Sequence, residues 1–267
     1  MAVRGQIGVD ADDFRLPIKD GLRRAAELEF GAVEFATVEG ELAPSNLSAS
    51  GRRHLARYVH GLGLELSALV ADMPGVTLTD PRRADERVAR TCRVIELARE
   101  IGAPVVTASV GALTHPETKA ASPLAVEALA RIGECADECG VTFAIRPSYD
   151  TADRVANVLT VLRCPSLHVG LDPAAMVMAG VNPLASFEQI ADHVRLFHAR
   201  DATAGFPDRP GHETRLGAGE VDLPRVLAML NAAEYEGPLI LRRVDSTTPV
   251  QDLTVARDAI LREMGRL

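Results

Sequence analysis

Short runs of β-branched and apolar residues alternate along this chain with longer segments in which apolar side chains recur at helical spacing. The strand-like runs fall at residues 6–9, 32–36, 64–70, 104–110, 141–146, 167–171, 194–198 and 238–244, each bounded by turn-forming residues. Between them, Leu223, Val226, Leu227 and Leu230 repeat at i, i+3, i+4 and i+7, and Val88, Cys92, Ile95 and, one helix earlier, Leu55, Val59 and Leu62 do much the same, which predicts helices with one apolar face. Ser48 and Ser122 are placed to cap helix starts. Gly63, Gly102 and Gly140 each stand between a helical segment and the next strand, where a left-handed helix terminus favours glycine. Eight strand–helix units without a Pro/Gly/Ser-rich linker predict one α/β domain over 1–267, a single (β/α)8 barrel. The alternative is a doubly wound sheet, but no Gly-x-Gly-x-x-Gly follows the first strand. Gly217-Ala218-Gly219 comes late and reads as a loop turn, at best a weak phosphate site.

Composition narrows the function. The chain has 267 residues, 47% hydrophobic and 25% charged, with 37 acidic against 29 basic residues and a formal net charge of -8. So much apolar content excludes disorder, and the acidity argues against a nucleic-acid partner, which would want a basic face. No run approaches the length of a membrane span, and the opening residues lack the apolar core of a signal peptide, so a cytoplasmic protein without a membrane partner is expected. The four cysteines make no Cys-x-x-Cys pair; Cys135 and Cys139 share a helical face and read as small buried hydrophobes. The only lysines are Lys19 and Lys119, neither at a strand end suited to Schiff-base chemistry. An aromatic content of 4% without tryptophan leaves few stacking platforms for a neutral sugar and favours recognition by charge.

In a (β/α)8 barrel, chemistry belongs at the C-terminal ends of the strands. The polar residues there are Asp10, Glu34, Asp72, His115, Arg146 and Tyr149, Asp172, then His198, Arg200 and Asp201, and finally Arg242, Arg243 and Asp245.

The sequence resembles the xylose isomerase-like TIM barrels, a family that includes sugar and sugar-phosphate isomerases and epimerases, dehydratases and endonucleases. The resemblance covers essentially the whole chain. It is carried by Leu22-x-x-Ala25-Ala26-Glu27-Leu28-x-x-Gly31-Ala32-Val33-Glu34, Ala98-x-x-Ile101-Gly102-Ala103, Leu171-Asp172-Pro173, His198-x-x-Asp201, Leu216-Gly217-x-Gly219-Glu220-Val221-Asp222 and Tyr235-Glu236-Gly237-Pro238. It implies a divalent-metal site built from a Glu, an Asp, a His and a second Glu at the ends of the fifth to eighth strands. The matching positions here are Arg146, Asp172, His198 and Arg242. Both glutamates, which in the family's isomerases also move the substrate proton, are arginines.

That exchange turns a ligand set of formal charge roughly -3 into one of roughly +1. A guanidinium about 4 Å from a divalent ion is repelled by roughly 8 kcal/mol at an effective dielectric of about 20, and arginine cannot lose its proton to become a ligand. No metal and no other cofactor is therefore expected, although Glu34, Asp72 or Asp245 would be donors for a shifted site.

Arg146 and Arg242 are instead expected to form a positive pocket for an anionic small molecule, a sugar acid, keto acid or sugar phosphate, held by bidentate hydrogen bonds. The competing expectation is that Arg146 pairs with Asp172 and Arg242 with another acid, closing a dead site in a ligand-binding pseudoenzyme or partner subunit. If chemistry survives, His198 is the general acid/base, oriented by Asp172 or Asp201, with Arg146 and Arg242 stabilising an enolate. Glu34, His115, Tyr149, Arg200, Asp201 and His212, the last with Glu213 beside it, are the candidate substrate contacts. A homodimer is compatible with all of this.

Overall fold

The computed structural model describes residues 6–115, 117–185, 187–206 and 209–265; the first five residues, part of the opening segment read above as lacking a signal peptide, lie outside them. Eight parallel strands close into a barrel in the order β1-β10-β7-β6-β5-β4-β3-β2. The barrel strands are β1 (Ile7–Asp10), β2 (Ala32–Ala36), β3 (Glu65–Val70), β4 (Val105–Ser109), β5 (Thr142–Arg146), β6 (Leu167–Leu171), β7 (Val194–Ala199) and β10 (Leu239–Leu241). The antiparallel pair β8 (Asp201–Thr203) and β9 (His212–Thr214) forms a separate hairpin in the connection after β7, in addition to the eight strands expected from the sequence.

The outer layer is α1 (Ile18–Glu27), α2 (Ala49–Gly61), α3 (Ala84–Ile101), α4 (Pro123–Cys139), α5 (Ala152–Leu162), α6 (Pro173–Met178), α7 (Leu223–Ala232) and α8 (Pro249–Met264). Ser48 Oγ and Ser122 Oγ accept the amides of Gly51 and Ala125 at the starts of α2 and α4. Gly102 and Gly140 end α3 and α4 with φ of +82° and +63°. Between β6 and β7 the only α-helix among the described residues is the six-residue α6, followed by 3-10 turns at Phe187–Gln189 and Ala191–His193. No helix of the described residues is long and apolar enough to cross a membrane.

Strand alternation builds two layers from one residue run. On β5, Phe143 and Ile145 join the large core between strands and helices, while Ala144 joins Ala68, Val105, Leu196 and Ile240 in a small lumen cluster. Fully burying a phenylalanine such as Phe143 or Phe197 contributes about 1.5–3 kcal/mol. One step up from the lumen cluster, the same inward face presents polar side chains at the strand ends.

Two irregularities adjust that face. The β2–β3 register slips between Val33 and Glu34, leaving Ser67 without a partner, and the β6–β7 register slips between Val169 and Gly170, as bulges do where a side chain must be re-aimed. Gly170 is small for a packing reason. A Cβ there would stand 2.9 Å from Thr107 Oγ1 and 3.1 Å from Arg146 Cγ, so its absence makes room for the arginine stem.

Candidate functional site

One residue from each strand end contributes to a ring at the C-terminal mouth: Asp10, Glu34, Asp72, Ser109, Arg146, Asp172, His198 and Arg242. Four carboxyls thus face two guanidiniums and one imidazole.

At the centre, His198 and Glu34 are both fully buried, and His198 Nε2 lies 2.9 and 3.1 Å from the two Glu34 oxygens. The pair spans the barrel from β7 to β2. Glu34, not Asp172 or Asp201, is therefore the carboxylate that orients the imidazole. Burial opposes charge on Glu34, but His198, Arg242 and Arg146 together hold its pKa below the ordinary value. His198 Nδ1 has no hydrogen-bond partner among the described residues.

The arginines are individually matched. Arg242 Nη2 sits 2.8 Å from Asp10 Oδ2, and its Nε lies 3.8 Å from both Asp13 and Glu34. Arg146 pairs with Asp72, not with Asp172, and Asp72 also accepts the Ser109 amide at 2.8 Å. Asp172 is bound instead by Arg200 at 2.8 Å and by the Ala175 amide at 3.0 Å. The two ring arginines thus diverge toward separate acids and do not converge on one uncompensated positive point, because neutralising a buried guanidinium requires a carboxylate at contact distance.

A second tier ties the mouth to its loops. Glu213 of β9 bridges Arg200 at 2.8 Å and Arg243 at 2.7 Å, and Arg243 reaches Asp252 on α8 at 3.1 Å. Asp13, in the 3-10 turn Ala11–Phe14 after β1, accepts the Arg243 amide at 2.6 Å. Sequence reasoning gave Asp13 no role, although the Asp-x-Asp-Asp run directly after the first strand was its signal.

The remaining expected contacts lie apart from the ring. Tyr149 is 61% exposed. His115 is exposed, and its Nδ1 accepts the Glu117 and Thr118 amides. His212 is also exposed, 2.9 Å from Thr203 Oγ1. Asp201 is buried, but its two oxygens accept the amides of Ala202, Val221, Gly217 and Gly219 at 2.8 to 3.0 Å. The Gly217 and Gly219 amides are thereby turned to an internal carboxylate, and that of Ala218 to the Arg215 carbonyl at 2.9 Å, not toward a phosphate. A groove of about 520 Å³ on the outer wall, between α1 and α2, shares no residue with the ring.

Arg87 was also missed. It lies on the buried stripe of α3 with Ala84, Val88 and Thr91, and an arginine on an apolar stripe was the available sign. Its Nη2 donates to Ser109 O at 2.9 Å, while Nε and Nη1 have no partner among the described residues. Burial pushes its pKa down to about 10 against the attraction of nearby Asp72.

The carboxyls fall into two groups. Asp72, Asp172 and Glu213 join Glu34 in being held low, each by adjacent arginines against the opposing effect of burial. Asp10 is pushed well up by burial, with Asp13 and Glu34 beside it outweighed only in part by Arg242; Asp13 and Asp12 are raised by burial too. For the depressed group, stability is complete above the unfolded carboxylate value near 4 and is lost as pH falls through the folded values. The raised group acts oppositely, costing stability as pH climbs above that value. The expected result is a melting temperature that is highest a little above the unfolded carboxylate value, declines gently as pH climbs and drops steeply below about pH 4, measured by thermal unfolding in buffers of fixed ionic strength. A flat profile from pH 7 to 3 would remove the ring pairs as contributors to stability.

An eight-stranded parallel barrel with its polar side chains gathered at the strand C-termini is the architecture on which TIM-barrel enzymes build their sites. The family model of the xylose isomerase-like TIM barrel matches residues 22–263, and the chain belongs to that family. Among solved structures it is similar to a xylose isomerase domain protein from Planctomyces limnophilus, at 20% identity and a TM-score of 0.86 over 100% of this chain and 99% of that one. It is similar also to an L-ribulose 3-epimerase, at 18% identity and 0.77 over 98% and 95%. A xylose isomerase-like TIM barrel protein from Mycobacterium smegmatis in complex with magnesium gives 18% and 0.72 over 98% and 97%. At these identities the likeness is one of fold. No curated protein matches the chain in sequence.

Proposed function

We propose that this protein is a metal-independent isomerase or epimerase that moves a proton on a small anionic substrate, a sugar acid, keto acid or sugar phosphate, at the mouth of the barrel. The observation that carries the reading is the buried His198–Glu34 pair standing beside Arg242 and Asp10. Proton transfer next to a carbonyl needs a base, an acid and a group to hold the developing oxyanion. Glu34, held below the ordinary carboxylate value by His198, Arg242 and Arg146, is the base, and His198, 2.9 Å from it, is the acid that exchanges the proton with it. Arg146, once released from Asp72, binds the substrate's anionic group, and Arg242 faces the enolate.

Access requires one ion pair to open. Asp72 is 33% exposed at its side chain while its partner Arg146 is 5% exposed, so water can take over the carboxylate as a ligand anion takes the guanidinium. The donor set is unsuited to a divalent cation: two of the ring's strand-end positions are arginines, and among the described residues no group of three or more His, Cys, Asp or Glu side chains is arranged to hold a metal ion. A formal charge of -8 suits a cytoplasmic protein with small-molecule rather than nucleic-acid partners.

A second reading, a non-catalytic ligand-binding relative, is favoured by one observation: each ring arginine already has its carboxylate. Two measurements separate the possibilities. Elemental mass spectrometry of the untagged protein, repeated after dialysis against manganese, zinc, cobalt and magnesium, is expected to find no stoichiometric metal; near-stoichiometric metal would overturn the proposal. Calorimetric titration with inorganic phosphate and a panel of sugar acids is expected to show binding that Arg146→Ala and Arg242→Ala each weaken roughly tenfold or more, the usual worth of a charge-assisted pair. Binding without turnover would support the second reading, and unchanged affinity in both variants would remove the arginines from recognition.

A further inference from the structure

Three of the four cysteines meet at one seam of the outer helical layer. Cys92 lies on α3, and Cys135 and Cys139 lie one turn apart on α4, which packs against α3. The Cys135 thiol donates to the Cys92 carbonyl at 3.8 Å, which brings the two residues together across the seam. All three side chains are partly exposed, so a small oxidant has access to them. This seam is no metal site. Within it the thiols are not equivalent. The hydrogen bond from Cys135 lowers the Cys92 pKa, with Arg131 acting in the same direction, while the same contact pushes Cys135 far up and burial raises Cys139. Cys92 is the more readily ionised thiol of the set and Cys135 the less.

We propose that Cys92 and Cys135 are a modification site, forming a reversible disulfide that ties α3 to α4 when the protein meets a peroxide. The Cys92 sulfur attacks one peroxide oxygen, the O–O bond breaks, and the departing hydroxide takes up a proton to leave as water, giving a sulfenic acid on Cys92. The Cys135 sulfur then displaces the hydroxyl, which departs as a second water with the Cys135 proton. The two thiols lose two electrons and the peroxide gains them. An external thiol reverses the step by exchange. Cys139 is excluded as the partner of Cys135 by helix geometry: residues four apart hold their Cβ atoms about 5–6 Å apart, whereas a disulfide needs about 3.5–4.5 Å.

The bond would also fix the helix that carries Arg87, and with it the support behind Ser109 in the ring.

The test uses the folded full chain, treated with a few equivalents of hydrogen peroxide, alkylated and digested without reduction. The expected product is a peptide pair joining Cys92 to Cys135, with free thiols falling from four to about two and returning on addition of dithiothreitol. Cys92→Ser and Cys135→Ser should each abolish the linked pair, and Cys139→Ser and Cys164→Ser should leave it, with circular dichroism confirming that each variant is folded. If a variant fails to fold, the linkage map of the unmodified sequence decides alone. Retention of all four thiols, oxidation of Cys92 that stops at a sulfenic or sulfinic acid, or a link between any other pair or between two chains would each overturn the proposal.

Discussion

Replacing His198 with glutamine is expected to lower turnover at least about a hundredfold, the ordinary worth of a positioned general acid or base. Glutamine keeps a donor for Glu34 and fills similar space, so the loss isolates proton transfer from packing. His198 is fully buried between strands and its Nε2 is held by Glu34, so the two act as a unit. Glu34→Gln should therefore cost about as much, and the double variant little more, because groups that share one step are strongly non-additive. A structural role would give another pattern, in which activity falls only as far as the melting temperature does and the pH profile keeps its shape. Full activity in His198→Gln would take the imidazole out of the mechanism.

The largest effect on stability is expected at Asp201. Its carboxylate is 1% exposed and accepts four backbone amides, two at each oxygen, from both sides of the connection after β7. Hydrogen bonds to a charged acceptor are worth about 1.5–3 kcal/mol each, and removal would leave buried amides unpaired. Local relaxation recovers part of this, so Asp201→Ala is expected to destabilise by about 4 kcal/mol, which for a chain of this size lowers the melting temperature by roughly 8–16 °C. Asp201→Asn keeps one accepting oxygen and should lose about half as much. Asp222→Ala is the control: its side chain caps α7 by a single exposed bond to the Arg225 amide at 3.2 Å and should cost about 1 kcal/mol. Equal melting temperatures for the Asp201 and Asp222 variants would refute this account of the loop. Gly219 belongs to the same clamp, since a Cβ there would collide with the Asp201 carboxylate.

How much of this was legible beforehand depends on range. The eight barrel strands follow from local alternation, and each was placed within a few residues; the last is the clearest trim, with Leu239–Leu241 inside the run 238–244. The ring members lie where strands end in polar residues, a local signal as well. Their partners carry no such signal. Glu34 and His198 are 164 positions apart, and which side chains meet across a closed barrel depends on register and bulges, which composition and spacing do not encode. One of the two expectations for Arg146 paired it with Asp172, its neighbour by strand order, but Arg200 already satisfies Asp172 and leaves Arg146 to Asp72. The hairpin of β8 and β9 escaped because three-residue strands hold too little alternation to register. Arg87 was hidden by the habit of reading a helical charge as solvent-facing, when its spacing from Ala84, Val88 and Thr91 placed it on the inner stripe.

The matched charges of the ring also constrain descent. A single Arg146→Glu change would shift the mouth from four carboxyls against two guanidiniums toward five against one, with Asp72 losing its counterion and the new side chain beside Gly170. Because Asp72 is 33% exposed, water recovers part of its loss, and the change costs less than the roughly 3–5 kcal/mol of a fully buried pair. A barrel lined by carboxylates around a cation is therefore not reached from this one by that single exchange without a loss of stability, whereas changes confined to the outer loops leave the matched pairs of the ring as they are.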